Sequence, residues 1–139
     1  METDEASVKQ YDCAVIGAGP AGLTAAMYCA RAGLSCAIIE MLSPGGQMAQ
    51  TEHLENYPGF NQSTSGYELS EIMTEQAEHF GAEVVFDTVE SVDLEADPKV
   101  LKMAYGTILA KSVIIATGAR PAKLGLDAEE KLLGAGVSY

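Results

Sequence analysis

The chain has 139 residues, 47% of them hydrophobic and 20% charged, with a formal net charge of −12 at pH 7. That length predicts one domain with a hydrophobic core of its own, and the negative balance argues against nucleic acid or an anionic membrane as a partner. The opening Met1-Glu2-Thr3-Asp4-Glu5 is unlike a secretory signal, and no apolar run has the length of a membrane span, so a cytoplasmic protein is expected.

Residues 1–9 read as a flexible tail. Tyr11 to Ile16 is a short apolar run suited to a buried parallel strand. Gly17-Ala18-Gly19-Pro20-Ala21-Gly22 follows at once and matches G-x-G-x-x-G. Leu23 to Ala32 is Ala-rich helix former closed by Gly33; Ser35 to Ile39 reads as a second buried strand, with Glu40 at its carboxyl end. Each residue type has work to do at a dinucleotide. Gly17 permits the tight turn, Gly19 lets backbone approach a pyrophosphate, and Gly22 lets the helix pack close to the strands. The helix N-terminus then faces the phosphates with free N–H groups and its positive dipole end. Glu40, roughly 20 residues past the turn, is placed to accept hydrogen bonds from an adenosine ribose, and its charge would repel a 2′-phosphate. The fingerprint predicts a dinucleotide site without choosing between FAD and NAD.

Met41 to Ser63 has no clear periodicity, and its glycine, amide and aromatic content predicts an ordered binding loop. Ser65-x-x-Glu68 is a capping box opening a helix. Leu69, Ile72, Met73, Ala77 and Phe80 read as its core-facing stripe, and Gly81 ends it. Glu83 to Phe86 is the next strand. Thr88 to Leu94, Val100 to Tyr105 and Thr107 to Leu109 then read as a β-meander inserted between parallel strands. Ser112 to Ala116 returns to buried-strand composition and ends in Thr117-Gly118, after which Arg120 to Tyr139 reads as a surface connection. Cys13, Cys29 and Cys36 fall in the two strands and the helix and are expected to be buried structural thiols. They form no Cys-x-x-Cys pair, no metal-ligand spacing appears, and His53 and His79 are isolated in sequence.

Taken in order, the Gly17–Gly22 fingerprint, Glu40, Gly45-Gly46-Gln47, Glu55-Asn56-Tyr57-Pro58-Gly59 and Ile115-Ala116-Thr117-Gly118 resemble the FAD-binding part of a low-molecular-weight thioredoxin reductase, over nearly the whole chain. The Gly-Gly-Gln and Glu-Asn-Tyr-Pro-Gly pair is the specific part. The resemblance implies an α/β, Rossmann-like FAD-binding domain over residues 10–119, with a central parallel sheet and an inserted meander, incomplete as it stands. Residues 120–139 would lead toward an NADPH-binding domain. It implies that Gly17, Ala18, Gly19, Pro20 and Ala21 hold the FAD pyrophosphate and Glu40 the ribose. Gly46, Gln47 and Asn56 would approach the flavin, Val89 the adenine, and Ala116, Thr117 and Gly118 would line the returning strand.

The family's reaction runs from NADPH to FAD to a Cys-x-x-Cys disulfide to thioredoxin. The chain contains neither that pair nor a second glycine fingerprint for NADPH, so no catalytic residue is expected in it. The expectation is an N-terminal fragment or truncated homologue, inactive alone and homo-oligomeric. Two alternatives are a bare FAD- or nucleotide-binding module without turnover and a thioredoxin-reductase-like ferredoxin–NADP reductase.

Overall fold

The computed structural model describes residues 8–60, 63–126 and 128–138. Its elements are β1 (Val8–Ile16), α1 (Pro20–Arg31), β2 (Cys36–Glu40), a 3-10 turn (Gly46–Gln50), α2 (Gly66–His79), β3 (Glu83–Phe86), β4 (Val89–Asp93), β5 (Lys99–Met103) and β6 (Thr107–Ile115). They build one mixed sheet in the order β3-β2-β1-β6-β5-β4. β3, β2, β1 and β6 run parallel, while β5 and β4 add antiparallel at the β6 side.

The local chemistry explains the elements. Pro20 stands in the first turn of α1, where its missing N–H costs nothing, so the helix begins earlier than the Ala-rich run suggests. It ends in a Schellman motif, Leu34 N–H donating to the Cys29 carbonyl and Gly33 N–H to that of Ala30. At the start of α2 the expected capping box forms: Ser65 Oγ accepts the Glu68 N–H at 3.1 Å and Glu68 Oε2 accepts the Ser65 N–H at 2.9 Å.

The core has two layers, one on each face of the sheet. On one, Cys13, Val15, Cys36 and Ile38 of β1 and β2 meet Leu23, Ala26 and Ala30 of α1 and Ala77 of α2. On the other, Ala14, Ala37 and Ile39 pack with Leu101 of β5 and Ile108 and Ala110 of β6. The meander therefore folds over the face that the helices leave bare.

Three expectations change. The third meander strand and the returning strand are one element, because Ala110 to Ser112 continue the β1 pairing without a break and the polar Lys111 and Ser112 do not interrupt it. The meander is thus an extension of the parallel sheet through a shared strand. On α2, Ile72 and Phe80 are exposed, and the buried face runs through Gly66, Leu69, Ser70 and Ala77. Phe80 instead offers its ring to the Arg31 guanidinium, 5.1 Å from the ring centre. Finally, Val8 and Lys9 belong to β1 rather than to a tail; the rest of that tail lies outside the described residues, as does Tyr139 at the far end.

Candidate functional site

The glycines of the fingerprint divide into two kinds. A Cβ on Gly17 would collide with the Ala116 carbonyl, and the backbone there has φ +102°, a conformation only glycine adopts without strain. A Cβ on Gly22 would collide with the Gly17 carbonyl oxygen. These two glycines close-pack the turn, the helix and the end of β6. Gly19 differs: nothing lies within 4 Å of where its Cβ would be. It is the N-cap of α1, with no side-chain cap and no acid in the first turn. The turn therefore presents an open approach to uncapped N–H groups at the positive end of the helix dipole.

Three segments gather at this turn. Glu40, at the end of β2, accepts the Ala18 N–H at 2.9 Å through Oε2 and the Leu42 N–H at 3.1 Å through Oε1. Two of its roughly four lone-pair sites remain. The Gly45-Gly46-Gln47 loop docks through the Gly45 N–H on the Ala18 carbonyl at 2.7 Å, and a Cβ on Gly46 would stand 3.5 Å from the Cα of Gly19. Behind it, the buried Ser70 of α2 fills the space beside Gly45, and Gly66 sits so close to the Met48 carbonyl that it admits no side chain. The start of α2 thus props the loop against the fingerprint. From the third side, Ala116 N–H donates to the Ile16 carbonyl at 2.9 Å, and Gln47 Nε2 donates to the Ala119 carbonyl. Thr117 and Gly118 lie between these anchors.

Val89 opens β4, two residues past Asp87, whose N–H donates to the Glu40 carbonyl at 3.0 Å. Ala21 is exposed in the first turn of α1. Asn56 stands apart. It is exposed on the excursion between the paired residues Leu54 and Thr64, and among the described residues no hydrogen bond ties it to the turn. A groove of about 480 Å³ between Phe60, Ile72 and the carboxylates Glu68, Glu71 and Glu75 includes none of the fingerprint residues. Its charge would repel a phosphate.

One grouping is invisible in the sequence spacing. Cys13 and Cys36 are register partners on β1 and β2, Cys29 comes down from α1, and the three sulfurs lie within 4.8 Å of one another. All three are free thiols. Burial, then the neighbouring sulfurs, pushes Cys36 up to about 12 and raises Cys29. The spacing 13, 29, 36 matches no ligand motif because the parallel pairing and the helix crossover, not local sequence, bring the thiols together.

Residues 11–139 match the pyridine nucleotide-disulphide oxidoreductase family. Thioredoxin reductase of Bacillus subtilis (strain 168) is 50% identical over 131 residues, which cover 94% of this chain and 41% of the relative. Among solved structures, Lactococcus lactis thioredoxin reductase aligns with a TM-score of 0.81 at 42% identity, over 88% of this chain and 40% of its own. Thioredoxin reductase from Streptococcus pyogenes MGAS5005 gives 0.79 at 45% identity, over 91% and 41%. The chain spans about 41% of the length of the curated relatives it matches.

Proposed function

Because the chain belongs to the pyridine nucleotide-disulphide oxidoreductase family, we propose that it supplies the FAD-binding part of a thioredoxin-disulfide reductase. The observation that carries this is the contrast at the fingerprint: Gly17 and Gly22 are locked against backbone, while Gly19 faces open space at an uncapped helix N-terminus with Gly46 beside it. That is the geometry an incoming pyrophosphate needs. Gly17 to Ala21 would hold it, the free lone pairs of Glu40 would orient the ribose, and Val89 would border the adenine. Gly46, Gln47, Ala116, Thr117 and Gly118 would line the rest. Asn56 would join only if its excursion folds inward.

FAD when bound supplies two-electron redox chemistry, and the protein's share is binding and orientation. The Gln47 amide ties the loop to the segment after β6, closing one wall without placing a charge there. Residues 10–119 form the binding unit in this reading and residues 120–139 the lead toward an NADPH-binding domain. In this reading NADPH is the donor and thioredoxin the acceptor of the whole enzyme, as the family resemblance implies. Three free thiols support a reducing, cytoplasmic setting. Among the described residues no helix is long and apolar enough to cross a membrane.

The test is the visible absorbance of the purified chain after incubation with FAD and removal of the excess. A protein-bound flavin band is expected. A chain that is folded by circular dichroism yet retains no flavin would overturn the binding assignment.

A further inference from the structure

We propose that Cys13, Cys29 and Cys36 form a buried three-sulfur site for a trivalent thiophilic ion of the arsenic(III) or antimony(III) class. Binding to one pyramidal centre at roughly 2.3 Å would draw the three sulfurs inward, by roughly an ångström, from the 4.8 Å within which they lie of one another. Thiolate sulfur selects soft ions.

Charge decides the valence. The walls are Val15, Leu23, Ala26, Ala30 and Ile38, all buried and apolar. Three thiolates around a divalent ion would leave one negative charge in that environment, a heavy cost without a partner. Zinc would also want a fourth ligand, and among the described residues no further Cys, His, Asp or Glu joins the cluster. A trivalent ion with three thiolates is neutral and complete.

The exchange balances without an oxidant. Arsenic trihydroxide trades three As–O bonds for three As–S bonds; each thiol proton leaves with one hydroxide, three waters are released, and no electron moves. Cys13 and Cys36 are 2% and 1% exposed, while Cys29 is partly exposed and offers the way in. Cys13 lies four residues before Gly17 on an extended strand, roughly 13 Å from the turn, so the site does not depend on the nucleotide reading.

The experiment uses the reduced chain and sodium arsenite, with native mass spectrometry and arsenic X-ray absorption. One arsenic replacing three hydrogens, with three sulfur and no oxygen neighbours, is expected. Cys29→Ala, at a partly exposed position that leaves the strands intact, should weaken binding at least roughly tenfold. A shell of two sulfurs and one oxygen in the unaltered chain would overturn the three-sulfur site. So would a Cys29→Ala affinity equal to that of the unaltered chain, and tighter binding of zinc would overturn the trivalent assignment.

Discussion

At the scale of single residues, the fingerprint glycines divide between close packing and open approach. Gly17 sits at φ +102° with the Ala116 carbonyl where a Cβ would go, whereas Gly19 has φ −73° and open space. Gly17→Ala should therefore destabilise the chain by on the order of 2–4 kcal/mol. Gly19→Ala should leave the thermal midpoint nearly unchanged and reduce flavin retention at least about tenfold. Thermal melts and flavin absorbance on the same two variants check both halves; equal melting losses would mean that the two glycines do the same work. This division was partly legible in the sequence. The spacing of Gly17, Gly19 and Gly22 told which residues matter, but the neighbour that Gly17 presses on arrives from the far end of β6. Asn56 is exposed between the bridge partners Leu54 and Thr64, a placement that its amide and its loop composition do not encode.

Among elements, β1, the turn before β2, and β6 are laced together by Asp12. Its Oδ1 accepts from Lys111 Nζ at 2.7 Å, and its Oδ2 accepts from Ser35 N and Oγ at 2.9 and 2.7 Å. Lys111 first, then the Ser35 donors, hold the Asp12 carboxyl well below its ordinary value of 3.8. A depressed folded value adds stability that is fully present above 3.8 and is lost as the pH falls through the folded value, because the unfolded chain takes up the proton first. Asp12→Asn should thus be less stable than the unaltered chain at pH 7, with the gap narrowing progressively as the pH falls below 3.8; urea melts at pH 7 and at roughly pH 2 measure it, and a gap independent of pH would contradict the assignment. The elements themselves were legible where the signal is local. The capping box at Ser65 and the Gly33 stop depend on neighbours a few residues away, and both are where the pattern put them. Composition alone divides β6 into Thr107–Leu109 and Ser112–Ala116, yet Lys111 between them is exposed and pairs with Asp12 across the strands. Likewise Ile72 fits a helical stripe by spacing, but α2 presses Ser70 and Ala77 inward because the Gly45 loop and α1 lie on that side.

For the whole molecule, the two-layer arrangement was legible only as composition: buried strands, then a change of period. That the meander returns over the free face depends on Leu101 and Ile108 meeting Ala14 and Ile39, contacts that no local pattern encodes. The surface after β6 is different in character. Leu124, Leu126 and Leu133 are each 57–64% exposed, and Ile115, the last residue of β6, is 63% exposed. Such a surface favours association, so the sedimentation coefficient should rise with protein concentration. A single concentration-independent monomer boundary would count against it.

The shared strand β6 has a consequence in time. Lys111 finds Asp12 across 99 residues of chain, and every β1–β6 pair is as distant. During synthesis at roughly 5–20 residues per second, β1 emerges about 5–20 s before the strand that completes it. For that interval the centre of the future sheet has an open side, with Ala14 and Val15 uncovered. Helix α1 and β2 are available early, but the closing partner comes last, so a nascent chain is most exposed to chaperones and to its neighbours on the polysome just before Thr107–Ile115 appears.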